Sequence, residues 1–564
     1  MSLSQANLEA RASNTTESAD LPPSVADVPP VDHDGGTMET RRAFWRNRLI
    51  ECGLILSMAL YYVIGNQNLK FPIGGLERLS PWFALPFLAI FIALCWSRLS
   101  FAVALLPLAL PYYLAPKDVI HAAGFSPAEI VLWICVAIAA VQLLLRRQHW
   151  SYRLSWSELR QRIGPFFWPV VIFVLAALIS LIGASSQRDA LRALRQEIID
   201  PLLYVVLILC CLRSRQDLAR MLGALFASGL IIAFMAIVQY AMFGKNNTVY
   251  GSDPSVGLLF DYTLPIGLAI VFSRLSWKTR LPILLLCIPF VYALLHNDSR
   301  GSALAAFPVV LVFLIIFAIR NRKVLLIGGA IAIVLAAAGY GAMHQKVDQV
   351  FMDTVINGHM DQNHVTTLQR RIHLWQSAEA MIHDQPLFGY GLDNWICHYA
   401  DPHVVPSADP NFVKDGGLKA PQYSWMLSCP PASHYYIVSE ENGQTTHMYD
   451  EPGLSHPHNN FLHIWVSIGI FGLLAFIAFL VLFCWLFARI LRYLSSRTVE
   501  QGEHWRWMVL GAAAAMLAGF IQGLVDCSFL AQDLVFCFWL LVATLLVIRA
   551  QIGLSWNNPL RLKH

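Results

Sequence analysis

The chain has 564 residues, of which 56% are hydrophobic and 13% are charged, and its formal net charge at pH 7 is +4. This apolar composition excludes a soluble enzyme and indicates a polytopic membrane protein. Most of the small positive excess lies in short loops between apolar segments, so it does not indicate a nucleic-acid partner.

Residues 1–40 are rich in Ser, Asp, Pro and Thr and contain few aromatic residues. Because such a segment buries too little apolar surface to fold, we expect a disordered cytoplasmic tail. The first apolar run begins too late and is too long for a secretory signal peptide, so none is predicted.

Fourteen apolar segments are candidate membrane spans, and twelve of them are plausible. They lie near residues 49–65, 82–96, 101–114, 127–145, 166–183, 196–211, 219–243, 255–273, 280–295, 302–319, 324–342, 461–486, 506–525 and 531–549. Several are shorter than the roughly 20 residues that a perpendicular helix needs, and 101–114 has the length of half a re-entrant or buried hairpin. We therefore predict an all-α polytopic membrane protein with 12 to 14 transmembrane helices. Its predicted parts are a bundle at 41–342, a large loop at 343–457, C-terminal transmembrane helices at 458–550 and a tail at 551–564.

Every second loop between these segments is basic. The basic stretches lie at 41–48, 146–162, 213–220, 274–280, 320–323 and 489–506. By the positive-inside rule these loops and both termini are cytoplasmic. The loop at 343–457 then lies on the far side, so we expect a bacterial inner-membrane protein with a large periplasmic loop.

Most of the 11 cysteines lie inside apolar segments, where a free thiol packs as a small hydrophobic group. Cys397 and Cys429 lie instead in the exported loop, where the compartment is oxidising, so a disulfide and two free thiols both stay open. The sequence contains no CxxC pair, no P-loop and no GxGxxG after a strand. It therefore predicts neither a nucleotide nor a redox cofactor.

The exported loop contains a pattern that predicts an amphipathic helix lying on the membrane domain. Thr366 and Gln369 form a capping-box pattern, and Pro386 with the glycines after it ends the helix. One helical stripe is traced by Leu368, Ile372, Trp375, Glu379 and Ile382. Arg371 lies about 50° and Arg370 about 150° from the centre of that stripe, so Arg371 points inward and Arg370 toward water. A snorkelling surface charge is the alternative for Arg371.

Further arginines lie on the predicted outer side, where the positive-inside rule predicts few. Arg300 lies in the short loop HNDSRGS near Asp298, so a local ion pair is its alternative role. A second group mixes both signs of charge and consists of Arg188, Arg192, Arg195, Asp189, Glu197 and Asp200. Several guanidinium groups on one face would bind an anionic headgroup, because the planar fork of arginine offers paired donors to phosphate.

The segment at 455–472, SHPHNNFLHIWVSIGIFG, joins the polar loop to an apolar helix. Because Pro457 cannot continue a helix backwards, we expect the helix to begin just after it, with His458 and Asn459 in the first turn. The positive end of the helix dipole disfavours imidazolium, so we expect a neutral His458 that accepts a proton as a general base. A capping or interfacial histidine is the alternative.

A metal site is the rival interpretation of this segment. His456, His458, Asp450 and Glu451 are of the types that ligate divalent ions. The two histidines flank a proline, however, and no third imidazole has ligand-like spacing. We therefore predict no metal, and we expect His456 and Asn459 to support the site.

Two motifs resemble a superfamily of bacterial membrane glycosyltransferases. The first is His458-Asn459 followed after nine residues by Gly469-x-x-Gly472. The second is the run Arg371-x-x-x-Trp375-x-x-Ala378-x-x-Met381 followed by Pro386, Gly389 and Gly391. The superfamily comprises O-antigen ligases, O-antigen polymerases and protein O-oligosaccharyltransferases, and the resemblance covers roughly residues 190–545. It is specific for the superfamily but separates its members poorly.

The resemblance implies a GT-C-like fold and transfer of a glycan from undecaprenyl pyrophosphate to a hydroxyl group, without nucleotide sugar and, for the ligases, without metal. Arg300 and Arg371 resemble the two family arginines that hold the donor pyrophosphate. Arg370 adjoins Arg371 and makes that match ambiguous by one residue, and Arg192 and Arg195 are further candidates.

His458 resembles the family histidine, and Asp526, in the exported turn VDCSFLAQD, resembles an acidic position of the ligases. The loop between Arg371 and His458 is longer than in the shortest family members.

We expect an O-antigen ligase that transfers the polymer to the lipid A core with inversion and without a cofactor. The alternatives within the class are a polysaccharide polymerase and a protein O-oligosaccharyltransferase. A transporter of the same lipid-linked glycan is the rival from another class. Transporters place charges near the bilayer midplane and often contain inverted repeats, whereas these candidates lie at helix ends on one face. The expected partners are the lipid-linked donor, the lipid A core and membrane lipid, with no nucleic acid.

Overall fold

The structure is a computed structural model that describes most of the membrane domain and part of the loop. The described residues are 38–66, 75–113, 116–120, 123–145, 155–244, 248, 253–296, 309, 312–313, 367–399, 438–441, 444–447, 456–496 and 499–556. The chain divides into a small unit, Met1–Cys52, and a large unit, Gly53–His564. Most of the predicted tail at 1–40 lies outside the described residues, and its last three residues already belong to the first helix.

The described residues are predominantly helical, which confirms the predicted all-α class. Their α-helices are α1 Met38–Val63, α2 Leu85–Ser97, α3 Leu99–Leu105, α4 Pro127–Leu144, α5 Trp156–Ile163, α6 Phe167–Ser180, α7 Gln187–Ala193, α8 Asp200–Cys211, α9 Arg215–Phe243, α10 Asp253–Val271, α11 Trp277–Leu295, α12 Thr367–Asp384, α13 Trp395–Tyr399, α14 Asn460–Ser495, α15 Val499–Gln522 and α16 Leu534–Gln551. A π-helical turn, Leu194–Ile199, joins α7 to α8.

Two short antiparallel hairpins complete this part of the chain. The first pairs β1, Lys117–Ile120, with β2, Ala123–Phe125, and sets Lys117 opposite Phe125. The second pairs β3, Val438–Glu441, with β4, Gln444–His447. Neither hairpin is joined to a further strand among the described residues, so the helices build the domain.

Seven helical segments of the described residues are long and apolar enough to cross a membrane. They are Pro127–Leu144, Trp156–Gly183, Arg215–Phe243, Trp277–Leu295, Asn460–Ser495, Gly502–Gln522 and Leu534–Gln551. An eighth candidate is the pair Pro81–Ser97 and Leu99–Tyr112, which is bent by 120°. This bend agrees with the prediction that 101–114 is half of a re-entrant or buried hairpin. The protein is a polytopic membrane protein.

The predicted number of spans, 12 to 14, is larger than the seven or eight of the described part. The predicted spans at 302–319 and 324–342 lie outside the described residues except for 309 and 312–313. Those at 49–65, 196–211 and 255–273 correspond to helices that are too polar or too short to belong to the seven. The total number of membrane spans therefore stays a prediction.

Local sequence signals set the ends of several helices. In α4 and α9 a serine N-cap and an acidic residue three positions on exchange side-chain and backbone hydrogen bonds, Ser126 with Glu129 and Ser214 with Asp217. Helix α9 ends at Gly244, whose φ of 66° suits the left-handed cap that glycine adopts readily. These helices therefore begin and end where their own residues satisfy the free backbone groups.

Helix α16 lies at the centre of the described bundle. It packs against α8, α14 and α15, and 89% of its residues are buried. Phe538 lies 4.7 Å from Phe529, and Trp539 lies 4.9 Å from Phe479, measured between ring centroids. A helix that is apolar all round is stable only in such surroundings. Its burial fixes the preceding turn, which carries Asp526.

Helix α12 lies on α14 through one apolar cluster. The cluster consists of Leu374, Ala378, Met381, Ile382, Tyr390, Trp395, Tyr399 and Val466. The prediction of a helix ending before Pro386 is confirmed. The predicted stripe was right at Ile382, which is buried, but wrong at Glu379, which is exposed while Ala378 is buried. Alanine adds little to a hydrophobic stripe, although its small size lets two helices approach closely.

Cys397, in α13, is disulfide-bonded. Nine of the 11 cysteines are free. The remaining one, Cys429, lies outside the described residues. Of the two alternatives that the sequence left open, the structure favours the disulfide.

Candidate active site

The candidate general base lies where the large loop enters α14. This helix begins at Asn460, and the side chain of its N-cap Asn459 accepts hydrogen bonds from the backbone N–H groups of Phe461 and Leu462 at 2.9 and 3.1 Å. Placing His458 in the first turn was therefore wrong, because asparagine satisfies the free N–H groups of that turn. His458 precedes the cap with a φ of 51°, an uncommon value for a residue other than glycine.

His458 is hydrogen-bonded to Asp526, 68 residues further along the chain. His458 Nδ1 and Asp526 Oδ1 are 2.7 Å apart, and the two side chains are 16% and 5% exposed. Because a carboxylate only accepts hydrogen bonds, Nδ1 carries the proton and the lone pair of Nε2 is left for another proton. This is the orientation that a general base requires.

The surroundings of Asp526 keep it ionised. Burial raises the pKa of this carboxyl, but the hydrogen bond from His458 and electrostatic interactions with His458, His456 and Arg371 outweigh burial and bring the pKa below its ordinary value. The backbone N–H of Cys527 also donates to Asp526 Oδ1 at 2.8 Å. An anionic Asp526 stabilises the imidazolium that forms when His458 takes a proton.

Asn460 holds the turn that carries Asp526, and sequence reasoning did not single it out. Its Oδ1 accepts hydrogen bonds from the N–H groups of Ser528 and Phe529 at 2.9 and 3.1 Å, and its Nδ2 donates to Ser528 Oγ at 3.0 Å. Its own N–H donates to Gly523 O at 2.8 Å. Asn460 is only 5% exposed, so these bonds form with little competition from water. The sequence signal was the Asn-Asn doublet at the helix start, in which the first residue caps and the second is buried.

His456 and His463 line the same site. The ring of His456 stands edge-on to that of His458, with centroids 4.7 Å apart, and lies 5.8 Å from the ring of His463. Burial lowers the pKa of His456 to about 3, so its ring is neutral. The Nδ1 atoms of His456 and His463 are buried and have no hydrogen-bond partner in the described part of the chain.

His456, His458 and Asp526 each bring one metal-ligating atom to within 4.8 Å of the others. The sequence had suggested Asp450 and Glu451 as partners of the histidines, and both lie outside the described residues. Spacing along the chain does not reveal this group, because its third member, Asp526, comes from the turn between α15 and α16.

Arg371 lies on the face of α12 that is turned toward α14. It precedes Leu374, Ala378 and Met381 at spacings of three and four residues, which places all four on one side of a helix. Its side chain is half-buried, and its charge lowers the pKa of Asp526. The structure therefore brings Arg371 near the His458–Asp526 pair, in the orientation that the sequence predicted.

Residues 283–477 match the family model of the O-antigen ligases. This match spans 195 of the 564 residues and contains Arg300, Arg371 and His458. It confirms the resemblance to the O-antigen ligase and polymerase superfamily, whose members are glycosyltransferase-like membrane enzymes. A search of curated proteins finds no match to the chain.

Two candidate arginines of the matched segment lie outside what the structure describes. Arg300 is not among the described residues, and Arg370 belongs to α12 but its side chain is not described. Their assignment to the donor pyrophosphate stays a prediction from the motifs.

The structure pairs both candidate arginines that precede the matched segment, Arg192 and Arg195, with carboxylates. Arg192 Nη2 lies 2.8 Å from Asp393 Oδ2. Arg195 Nη1 lies 2.5 Å from Glu129 Oε1 and 3.6 Å from Asp200 Oδ2, and both of these carboxylates are buried. Because these carboxylates already neutralise the charges of Arg192 and Arg195, the contacts favour a structural role of the two arginines over pyrophosphate binding.

The loop after α12 is anchored on α14 within the segment that matches the family model. The N–H of Gly391 donates to Ser467 O at 2.9 Å. Gly469 interrupts α14 with a φ of 73°, and a Cβ at this position would overlap the carbonyl of Leu387. The backbone of this loop, at Leu387 and Phe388, therefore lies directly against Gly469. This anchoring fixes α12 and Arg371 relative to α14.

Proposed function

We propose that this protein is an O-antigen ligase that moves O-antigen polysaccharide from undecaprenyl pyrophosphate to a sugar hydroxyl of the lipid A core. The observation that carries the proposal is the hydrogen bond of 2.7 Å between His458, within the ligase domain, and Asp526. It orients a base in the region of Arg371, whose charge acts on Asp526. A base and an anion ligand are the two groups that transfer from a lipid pyrophosphate needs.

In the proposed reaction the acceptor hydroxyl passes its proton to Nε2 of His458 while its oxygen attacks the anomeric carbon of the donor. The bond from that carbon to the phosphate oxygen breaks, and the lipid pyrophosphate leaves with the electron pair. Asp526 holds the imidazole ring through Nδ1 and stabilises its positive charge. A single displacement of this kind inverts the anomeric centre.

The leaving pyrophosphate develops negative charge as the bond breaks, and guanidinium groups stabilise that charge most in the transition state. Arg371 is proposed for this role because it lies near Asp526 and has no ion-pair partner among the described side chains. Arg300 is proposed with it on the motif alone. Two arginines supply this electrostatic stabilisation without a metal ion.

We place the enzyme in the bacterial inner membrane with the site facing the periplasm. The basic loops of the other side support this orientation. The disulfide at Cys397 also supports it, because disulfides persist in oxidising compartments. Arg371 and His458 flank the same exported loop, so donor and acceptor would meet on the periplasmic side.

A deletion strain tests the proposal and separates its alternatives. Loss of a ligase leaves lipid A core without polymer while long polymer stays on its lipid carrier. Single repeats on the core indicate a polymerase, and normal lipopolysaccharide with unglycosylated proteins indicates a protein O-oligosaccharyltransferase. Lipid-linked glycan retained on the cytoplasmic leaflet indicates a transporter. Complementation with the parent and with the His458→Ala variant ties the phenotype to the candidate base.

A further inference from the structure

The group formed by His456, His458 and Asp526 has a property that glycan transfer does not require. Each residue brings a metal-ligating atom to within 4.8 Å of the other two, although they come from two separate segments. We propose that His456, His458 and Asp526 form an inhibitory binding site for a transition-metal dication such as Zn²⁺. The proposed binding of the ion does not depend on the proposed function, whereas its inhibitory effect rests on that function.

The spacing of the three groups suits a small ion after modest side-chain rotation. Zinc takes imidazole nitrogen and carboxylate oxygen at about 2.0–2.2 Å, which puts neighbouring ligand atoms of a tetrahedral site roughly 3.3 Å apart. The pair His458 Nδ1 and Asp526 Oδ1 is already 2.7 Å apart. Three protein ligands leave one position for water, which is the usual composition of an accessible zinc site.

The polar atoms of the site also favour an ion. Nδ1 of His456 is buried without a hydrogen-bond partner in the described part of the chain, and the same is true of Nδ1 of His463, whose ring lies 5.8 Å from that of His456. A buried nitrogen without a partner is costly, and a ligand bond would remove that cost. Neutral imidazole and ionised carboxylate are the forms in which these side chains bind metals.

The ligand types select the class of ion. Two imidazoles and one carboxylate suit Zn²⁺, Ni²⁺ and Cu²⁺, whereas Mg²⁺ and Ca²⁺ prefer oxygen ligands alone. The site is therefore expected to bind Zn²⁺ in the presence of a large excess of Mg²⁺.

An ion at this place removes the base from the reaction. If the ion binds Nε2 of His458, it occupies the lone pair that would accept the proton of the hydroxyl group. If it binds Nδ1, the hydrogen bond to Asp526 is lost and the charge of the ion opposes formation of imidazolium. Both geometries lower the rate of transfer.

Binding is tested first, on the purified full-length chain in detergent after removal of metal with a chelator. Calorimetric titration with Zn²⁺ is expected to give one ion per chain, and His456→Ala and Asp526→Asn are each expected to weaken binding about 10-fold or more. His504→Ala, an exposed histidine of α15, is the matched control and should bind as the parent does. The absorption spectrum of bound Co²⁺ provides a second measurement, and thermal melting shows that each variant is folded. Absence of binding at 1 mM Zn²⁺, or equal loss in all three variants, overturns the site.

Inhibition is tested by glycan transfer over the same range of Zn²⁺. The parent should lose activity as the site fills and recover it with chelator. His456→Ala, measured against its own metal-free rate, should need about 10-fold more Zn²⁺. Unchanged transfer by the Zn²⁺-loaded parent, or transfer that requires Zn²⁺, contradicts an inhibitory role. If no variant transfers glycan while the binding results hold, the metal site stands and the proposed function fails.

Discussion

Replacing Asp526 by asparagine removes one charge from the candidate site and leaves its shape almost unchanged. The amide oxygen of asparagine still accepts a hydrogen bond from the N–H of Cys527, so the turn is expected to fold. The substitution therefore tests whether a carboxylate stabilises the imidazolium of His458 during proton transfer.

The size of the effect follows from the geometry of this pair. The bond is 2.7 Å long and Asp526 is 5% exposed, so solvent screens it little. Exchanging a charge-assisted hydrogen bond for a neutral one costs about 1 kcal/mol or more. The attraction of unit charges about 4 Å apart reaches about 4 kcal/mol at an effective dielectric constant of 20. These limits correspond to a loss of kcat between about 5-fold and 10³-fold. The KM for the donor should not rise, because Asp526 otherwise offsets part of the charge of Arg371.

Initial rates of transfer from a labelled lipid-linked donor, measured on protein in lipid nanodiscs, give kcat and KM separately. Asp217→Asn is the matched control, since Asp217 belongs to the capping box of α9 and lies in a predicted cytoplasmic loop. A kcat within threefold of the parent for Asp526→Asn would refute the reasoning. So would a loss of activity that arises from a higher donor KM at unchanged kcat.

Four further outcomes are expected. His458→Ala should lower transfer by about 10² or more while donor binding persists, since a base serves the chemical step alone; a rate within threefold of the parent would exclude the role. Purified enzyme should keep its rate in excess EDTA, because arginines supply the electrostatic stabilisation, and a loss restored by one divalent ion would show a metal enzyme. Arg371→Lys should lower transfer by roughly 10- to 150-fold through the loss of a charge-assisted contact of about 1.5–3 kcal/mol. Arg370→Lys should leave transfer nearly unchanged. A larger loss for Arg370→Lys would mean that Arg370, and not Arg371, is the arginine of the motif. Gly469→Ala should lower the melting temperature, because a positive φ costs alanine about 1–2 kcal/mol and the loop backbone leaves no space for its Cβ. Gly223→Ala should not lower it, because the space around Gly223 is open. Equal melting temperatures of the two variants would mean that the loop is not docked on Gly469.

Local patterns in the sequence predicted the elements that carry the site. Continuous apolar runs identified the region of α14, because a membrane span requires an uninterrupted apolar helix. The motif around His458 identified the candidate base, and helical geometry predicted that Arg371 points toward the domain. The predicted hydrophobic stripe that supported this geometry was wrong at one position, since it included the exposed Glu379 and left out the buried Ala378.

The sequence by itself determined the class of protein and indicated the candidate base and the resemblance to the O-antigen ligase superfamily, because each depends on composition or on residues that are close together along the chain. Only the tertiary structure decided which distant groups meet. It bonds His458 to Asp526 across 68 residues, and it places the carboxylate of Glu129 on Arg195. It also makes Asn460 the residue that holds the turn carrying Asp526. These contacts depend on how the helices pack against one another, and periodicity within a single helix carries no information about the partner that its face will meet.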